Sequence, residues 1–270
     1  MNNFEDTFFG RANTIQTYKS LYRRHIEPAV VPRRCADWDE SDTLNMLSMW
    51  SRAELASSTQ ATLLRLLGRF VKFNNGPTID TQRFSRTIQR KDQQKEITVL
   101  NQDQASRLMK VCARRDTRFY PVLMMALHAG LRRGEVYGLT FEDIDYLKGR
   151  VRVAHSYDGP TKSGKTRYVP LSTELGEAVN RWAFSKTLGD KLFKIENPNP
   201  KLRRLCREAG IPQINFHALR HTYATLALEA GTSHRKVQEW LGHASLTTTL
   251  NIYWGVINSG EESLDFLPGR

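Results

Sequence analysis

Residues 215–226 read "NFHALRHTYATL", and this stretch decides how the rest of the chain is read. Its residue types and the apolar spacing that follows predict a helix. His217 and His221 stand four residues apart on that helix, with Arg220 between them. Three chemistries could use such a pattern: a metal site, a phosphate clamp, or plain packing. Helical zinc sites of this spacing carry a glutamate directly after the first histidine. Here that position is Ala218, and the Arg220 guanidinium would repel a cation. The phosphate reading fits better. His217 and Arg220 are three apart, on one face at a helix start, where free backbone N–H groups and the dipole already favour an anion. A guanidinium adds a fork of donors matched to phosphate oxygens. An isolated His-Arg pair, however, is more often a packed histidine beside a surface arginine, so the stretch has to be weighed with its surroundings.

Composition supports a polyanion partner. The chain has 270 residues, with 40 Lys and Arg against 28 Asp and Glu, for a formal charge of +12. An excess of that size points to nucleic acid ahead of an anionic membrane. The length suffices for one large or two modest domains. Cys35, Cys112 and Cys206 are scattered and odd in number, which suggests reduced, buried thiols and no disulfide framework or zinc knuckle. The start "MNNFEDTFFG" lacks a basic segment followed by an apolar one, and the longest apolar run, "PVLMMALHAGL", is too short for a bilayer. A cytoplasmic, nucleoid-associated protein with no membrane partner is expected.

Periodicity divides the chain. Residues 1–80 read as a small helical domain. "NTIQTYKSLYRRHI" places Ile15, Tyr18, Leu21 and Tyr22 on one face, and "SSTQATLLRLLGRFVKFN" stacks Leu63, Leu66, Leu67, Phe70 and Val71 behind serines suited to capping. Residues 81–96, polar and basic with few apolar anchors, read as an interdomain linker. Residues 97–270 read as a second domain, mainly α with a small antiparallel β-sheet. Asn101 and Asp103 stand where a helix cap belongs, "TRFYPVLMMALHAG" is apolar all round and ends at Gly130, and "GRVRVAH" and "TRYVPLS" are β-rich runs flanking a loop.

Further cationic and nucleophilic residues fall at suggestive places. Arg132 follows the buried helix directly, Lys162 sits at the tip of the hairpin, His243 follows a glycine, and Tyr253 comes ten residues later. Each has an ordinary reading: a surface charge, a solvated turn, a cap, a half-buried core residue. As an ordered series, with "GLRRGEV", "TKSGKTRYVPL", "HALRHTYAT" and "LGHASLTTTLNIYW" spread over Ala126–Trp254, they resemble the tyrosine recombinase, or phage integrase, family. The resemblance implies a helical core-binding domain and an α/β catalytic domain that clamp double-stranded DNA. It makes Arg132 and Arg220 the site's two arginines, Lys162 its hairpin lysine, His217 and His243 its histidines, and Tyr253 its nucleophile. It implies no metal and no cofactor.

The implied reaction is attack of the Tyr253 hydroxyl on a DNA phosphodiester. It gives a 3′-phosphotyrosyl link and a free 5′-hydroxyl, and a second 5′-hydroxyl reverses the step without ATP. Phenol ionises near pH 10, so tyrosinate at pH 7 is about one part in a thousand, a deficit of roughly 4 kcal/mol. His217 is the candidate base or relay, and Lys162 the general acid, with Lys165 and Arg167 close enough in sequence to compete. Glu135, three residues after Arg132, could orient its guanidinium. Tyr223 reads as core and His221 as packing. The chain begins almost directly with the core-binding helices, so no arm-binding domain is expected before them. The tail residues Leu264, Phe266 and Leu267 suggest docking on a neighbour in a homotetramer, with accessory or excision factors as further partners. A type IB topoisomerase or a non-catalytic DNA-binding regulator are the alternatives.

Overall fold

The computed structural model describes residues 4–30, 35–88, 98–161, 164–183 and 189–242. Lys162, His243, Tyr253 and the C-terminal tail lie outside these described residues. The chain divides into two compact units, Met1–Glu96 and Ile97–Arg270.

The first unit is helical: α1 (Ala12–His25), α2 (Glu27–Val30), α3 (Glu40–Arg52), α4 (Ser57–Phe73) and α5 (Thr81–Ser85). The apolar stripe of α4 forms its centre, with Leu63, Leu66, Leu67, Phe70 and Val71 all buried, and Tyr22 of α1 packs into the same core. Asp39 starts α3 through a reciprocal capping box with Asp42, which satisfies two otherwise orphaned N–H groups. Two expectations need correction here. The residue that caps α4 is Ala56, and Ser57 and Ser58 lie inside the first turn. The stretch 81–96, expected to be a linker, begins as structure: Asp80 accepts hydrogen bonds from the backbone of Gln82 and Arg83 to start α5. Phe84 and Ile88 then enter the first unit's core. Phe84 lies on α5 and Ile88 at the end of the turn that follows it, and that pair is enough to anchor an otherwise polar segment. Gly76 is required by close approach, since a Cβ there would lie 2.2 Å from the Cys35 carbonyl oxygen.

The second unit opens with α6 (Gln102–Arg115), capped by Asn101 in a box with Gln104, then α7 (Tyr120–His128) and the short α8 (Arg133–Val136). Helix α7 is apolar on every side because it is surrounded: Val122 to Leu127 are buried throughout. Strands follow as β1 (Ile144–Asp145), β2 (Arg150–Val153), β3 (His155–Ser156), β4 (Gly159–Pro160) and β5 (Arg167–Pro170). They make a three-stranded antiparallel sheet in the order β1-β2-β5 and a separate β3-β4 pair. The register sets Val151 opposite Val169 and Val153 opposite Arg167. Alternation therefore puts Val151, Val153, Val169 and Arg167 on the buried face and Tyr168 on the exposed one. Among the described residues α9 (Thr173–Ala183), α10 (Asn199–Glu208), α11 (Phe216–Glu229) and α12 (His234–Leu241) follow, the last stopped by Gly242 in the left-handed region at φ +64°. No helix among the described residues is long and apolar enough to cross a membrane.

Candidate active site

The site is assembled where three elements end. Helix α7 stops at Gly130, whose φ of +62° turns the chain sharply, and a Cβ there would lie 2.4 Å from the Tyr223 ring. Two residues later Arg132 begins α8. Its backbone N–H donates to Glu135 Oε2 (2.9 Å) and its guanidinium to Glu135 Oε1 (2.9 Å). The short helix and the ion pair are thus one unit, with the carboxylate at the helix's positive end.

Glu135 is 2 % exposed, so it is no ordinary surface partner. From β5, Arg167 donates to both of its oxygens, at 3.0 and 2.7 Å. From α11, Arg220 brings a guanidinium nitrogen to 3.9 Å of Oε2. A single carboxylate accepts four hydrogen bonds and has a third cation beside it, filling the capacity of its two oxygens. Burial pushes the Glu135 carboxyl up, but the Arg167 hydrogen bonds and charge, followed by the charges of Arg220 and Arg132, outweigh it and hold it down at about 2. Arg220 is 1 % exposed. Burial first, then repulsion from Arg132, lowers it to about 9, so it remains cationic at neutral pH.

The two buried arginines also complete helix ends. Arg220 donates to the Gly130 carbonyl (2.8 Å) after α7 and to the Leu241 carbonyl at the end of α12. Arg167 Nε donates to the Trp240 carbonyl (2.6 Å). Terminal carbonyls lack intrahelical partners and carry the negative end of the dipole, so they suit buried guanidinium groups. The result is a cluster of three guanidinium groups around one carboxylate, two positive charges in excess, with the Arg132 side chain still 23 % exposed. Such a cluster is built for an anion.

Helix α11 positions the rest. Asn215 caps it by accepting from the Ala218 N–H (3.0 Å). His217 is exposed in its first turn, while Arg220, one turn on, points inward. The His217 and His221 rings meet edge to face, 4.7 Å between centroids. Burial, then the charges of His217 and Arg220, lowers His221 to about 4, so it is neutral near pH 7. The Tyr223 hydroxyl is pushed up to about 12, chiefly by burial. That matches a packing residue and opposes a role as nucleophile. Among the described residues no three His, Cys, Asp or Glu side chains converge to hold a metal ion.

Of the six residues singled out in the sequence, the structure brings Arg132 and Arg220 to one carboxylate and sets His217 on the same helix as Arg220. Lys162, His243 and Tyr253 lie outside the described residues. Lys165 is exposed on the loop before β5. Arg167, left open above as a proton donor, is turned inward and engaged at three nitrogens. The residue that sequence reasoning missed in its true place is this arginine. Its signal was present: in "RYVP" it shares phase with Val169.

Comparison with known proteins gives the family and the fold. The model of the phage integrase family matches residues 98–258. The chain is 32% identical to tyrosine recombinase XerA of Saccharolobus solfataricus over 161 residues, covering 59% of this chain and 53% of the relative. It is 29% identical to tyrosine recombinase XerC of Corynebacterium efficiens over 268 residues, covering 89% and 80%. The chain spans about half the length of several of the curated relatives it matches. Among solved structures, the Tn1549 transposon integrase in complex with transposon right end DNA shares the fold at a TM-score of 0.72, with 20% identity and coverage of 97% and 93%. A lambda integrase dimer bound to a core site does so at 0.69, with 17% identity and coverage of 89% and 91%.

Proposed function

Because the chain belongs to the phage integrase family of tyrosine recombinases, we propose that it cuts and rejoins double-stranded DNA at specific sites through a 3′-phosphotyrosyl intermediate, in the integration or excision of a phage or mobile element. The observation that carries this is the cationic cluster of Arg132, Arg167 and Arg220 on Glu135, with two charges in excess and Arg132 open to solvent. Proteins that share the fold support the substrate: the Tn1549 transposon integrase is in complex with transposon right end DNA, and a lambda integrase dimer is bound to a core site.

In this reading Tyr253 Oη attacks the scissile phosphorus and its proton passes to His217, directly or by relay. The 5′-oxygen leaves with a proton from Lys162. Arg132 and Arg220 hold the non-bridging oxygens, with His243 adding a hydrogen bond, and the charge that develops there is met by donors already in place. Attack of a 5′-hydroxyl from another strand on the phosphotyrosyl bond restores the phosphodiester and releases the tyrosine. Recombination of two duplexes calls for paired sites, and on the resemblance alone we include a homotetramer exchanging C-terminal tails, with accessory or excision factors. The test uses a pool of random-sequence nicked duplexes, in which cleavage traps the protein covalently. The wild-type chain should accumulate adducts on an enriched sequence, and Tyr253→Phe should accumulate none. Adducts formed by Tyr253→Phe would remove Tyr253 as nucleophile, and no adduct from the wild type would remove the activity.

A further inference from the structure

Arg167 is the member of the cluster without an outlet. It is 8 % exposed. Both terminal nitrogens donate to Glu135, and Nε donates to the Trp240 carbonyl. A guanidinium so occupied cannot reach substrate. It also lies under the turn that ends α12. A Cβ on Gly242 would sit 3.0 Å from Arg167 Cδ and 3.2 Å from Nε. One side chain thus spans the hairpin strand, the Arg132-Glu135 unit and the exit of α12, after which the sequence runs on to His243 and Tyr253.

We propose that Arg167 is the positioning residue of the site: it locks the Glu135 carboxylate square to Arg132 and Arg220 and pins the end of α12 to the same carboxylate. This rests on the reading given above. Without Arg167, Glu135 keeps its two bonds to Arg132 but loses the pair that fixes its rotation. Arg132, the most exposed of the three guanidinium groups, then loses its fixed direction, and small misplacements of an aligned group cost rate steeply. The charged groups facing Glu135 are the three arginines, and Tyr223 faces Arg167 and Arg220 from α11. Removing Arg167 therefore lets Glu135 protonate at a higher pH, which adds an acid limb to the rate.

The experiment uses the full chain and the duplex enriched by the wild type from the random pool. Arg167→Met should lower the single-turnover rate of adduct formation by about tenfold to a hundredfold, with affinity for the duplex within about threefold of wild type, since Arg167 does not touch the substrate. Its rate should fall below about pH 5, as a carboxyl near its ordinary value of 4.5 protonates. Arg167→Lys, which keeps charge but not the fork, should recover part of the rate and move the limb back toward lower pH. Gly242→Ala, which leaves Arg167 in place but crowds it, should lower the rate in the same way. In the 13C-labelled protein without DNA, the Glu135 carboxyl should titrate near 2 in wild type and above about 4 in Arg167→Met. A wild-type rate in Arg167→Met would overturn the proposal, as would rate and affinity falling together with no acid limb, or an unmoved carboxyl titration. If the wild type captures no duplex, the recombinase reading fails, and the carboxyl titration still decides whether Arg167 holds Glu135.

Discussion

Glu135→Gln is the perturbation that tests the cluster most directly, because it preserves shape and removes one charge. The wild-type carboxyl is held at about 2 against an ordinary 4.5, which corresponds to about 3 kcal/mol of folding stability at neutral pH. Breaking a buried ion pair from one side costs about 3–5 kcal/mol by a separate route, so the two estimates agree in scale. The amide adds a further conflict: one of its ends is a donor, and every group around it is a donor as well. The sign follows from a depressed carboxyl. Its contribution is complete above about pH 4.5 and is lost as pH falls toward 2, so the deficit of the variant should shrink from about 3 kcal/mol at pH 7 to about 1 kcal/mol at pH 3. Urea unfolding at the two pH values gives the difference, with hydrogen exchange of peptides from α7 and α11 assigning it to the second unit. A variant within about 1 kcal/mol of wild type at pH 7, or a deficit equal at both pH values, would refute the electrostatic account, since burying two uncompensated cations must cost more than that.

The remaining expectations concern rate, backbone and thiols. Arg132→Ala and Arg220→Ala should each lower adduct formation by about 10²–10³, measured in single turnover on the enriched duplex. Gly130→Ala forces a side chain onto φ +62° and 2.4 Å from the Tyr223 ring, and should destabilise the second unit by about 2–4 kcal/mol in urea unfolding. Asn101→Ala removes the cap of α6 and should cost about 1 kcal/mol by the same measurement. Cys112 is buried with its thiol pushed up to about 12, mainly by desolvation. It should resist thiol reagents in the folded chain and react only as fast as the second unit opens.

Much of the architecture was legible because the apolar pattern is strong where elements are buried. The stripe of α4, the all-round apolar α7 and its glycine stop all follow from spacing. The reading of 81–96 as a linker missed the order in residues 81–88, because Phe84 and Ile88 are only two apolar residues in a polar run, too few for a periodicity test, yet enough once a ready core lies beside them. The serines before α4 show the limit at helix starts, where the capping position depends on the direction of the incoming chain as well as on residue type. In the site, residue types revealed which groups carry charge but not which way they face. Arg167 and Lys165 are two residues apart, and on a strand the same alternation turns both inward. Only where the strand begins, at Arg167, does that alternation apply, so Lys165 on the preceding loop is exposed while Arg167 is buried.

The charge balance of the cluster bears on what it is built to hold. Of the three guanidinium groups, Arg167 and Arg220 are buried and only one charge is offset by Glu135, in surroundings where isolated ions are costly. The fold lessens that cost with the carbonyls of Gly130, Trp240 and Leu241, dipoles that soften the excess without cancelling it. A phosphodiester carries one negative charge in its ground state. In the proposed reaction, attack by an oxyanion would spread a second over the non-bridging oxygens, so an excess of two would match that transition state better than the ground state. A second carboxylate in place of those carbonyls would have stabilised the empty fold more, at the cost of the charge that the proposed reaction would draw on. By using Arg167 to fix Glu135 and leaving Arg132 partly exposed, the chain keeps the field rigid on one side and accessible on the other. Preorganisation of this kind asks for no reorientation of donors when the charge develops, which is the condition under which such hydrogen bonds contribute most to rate.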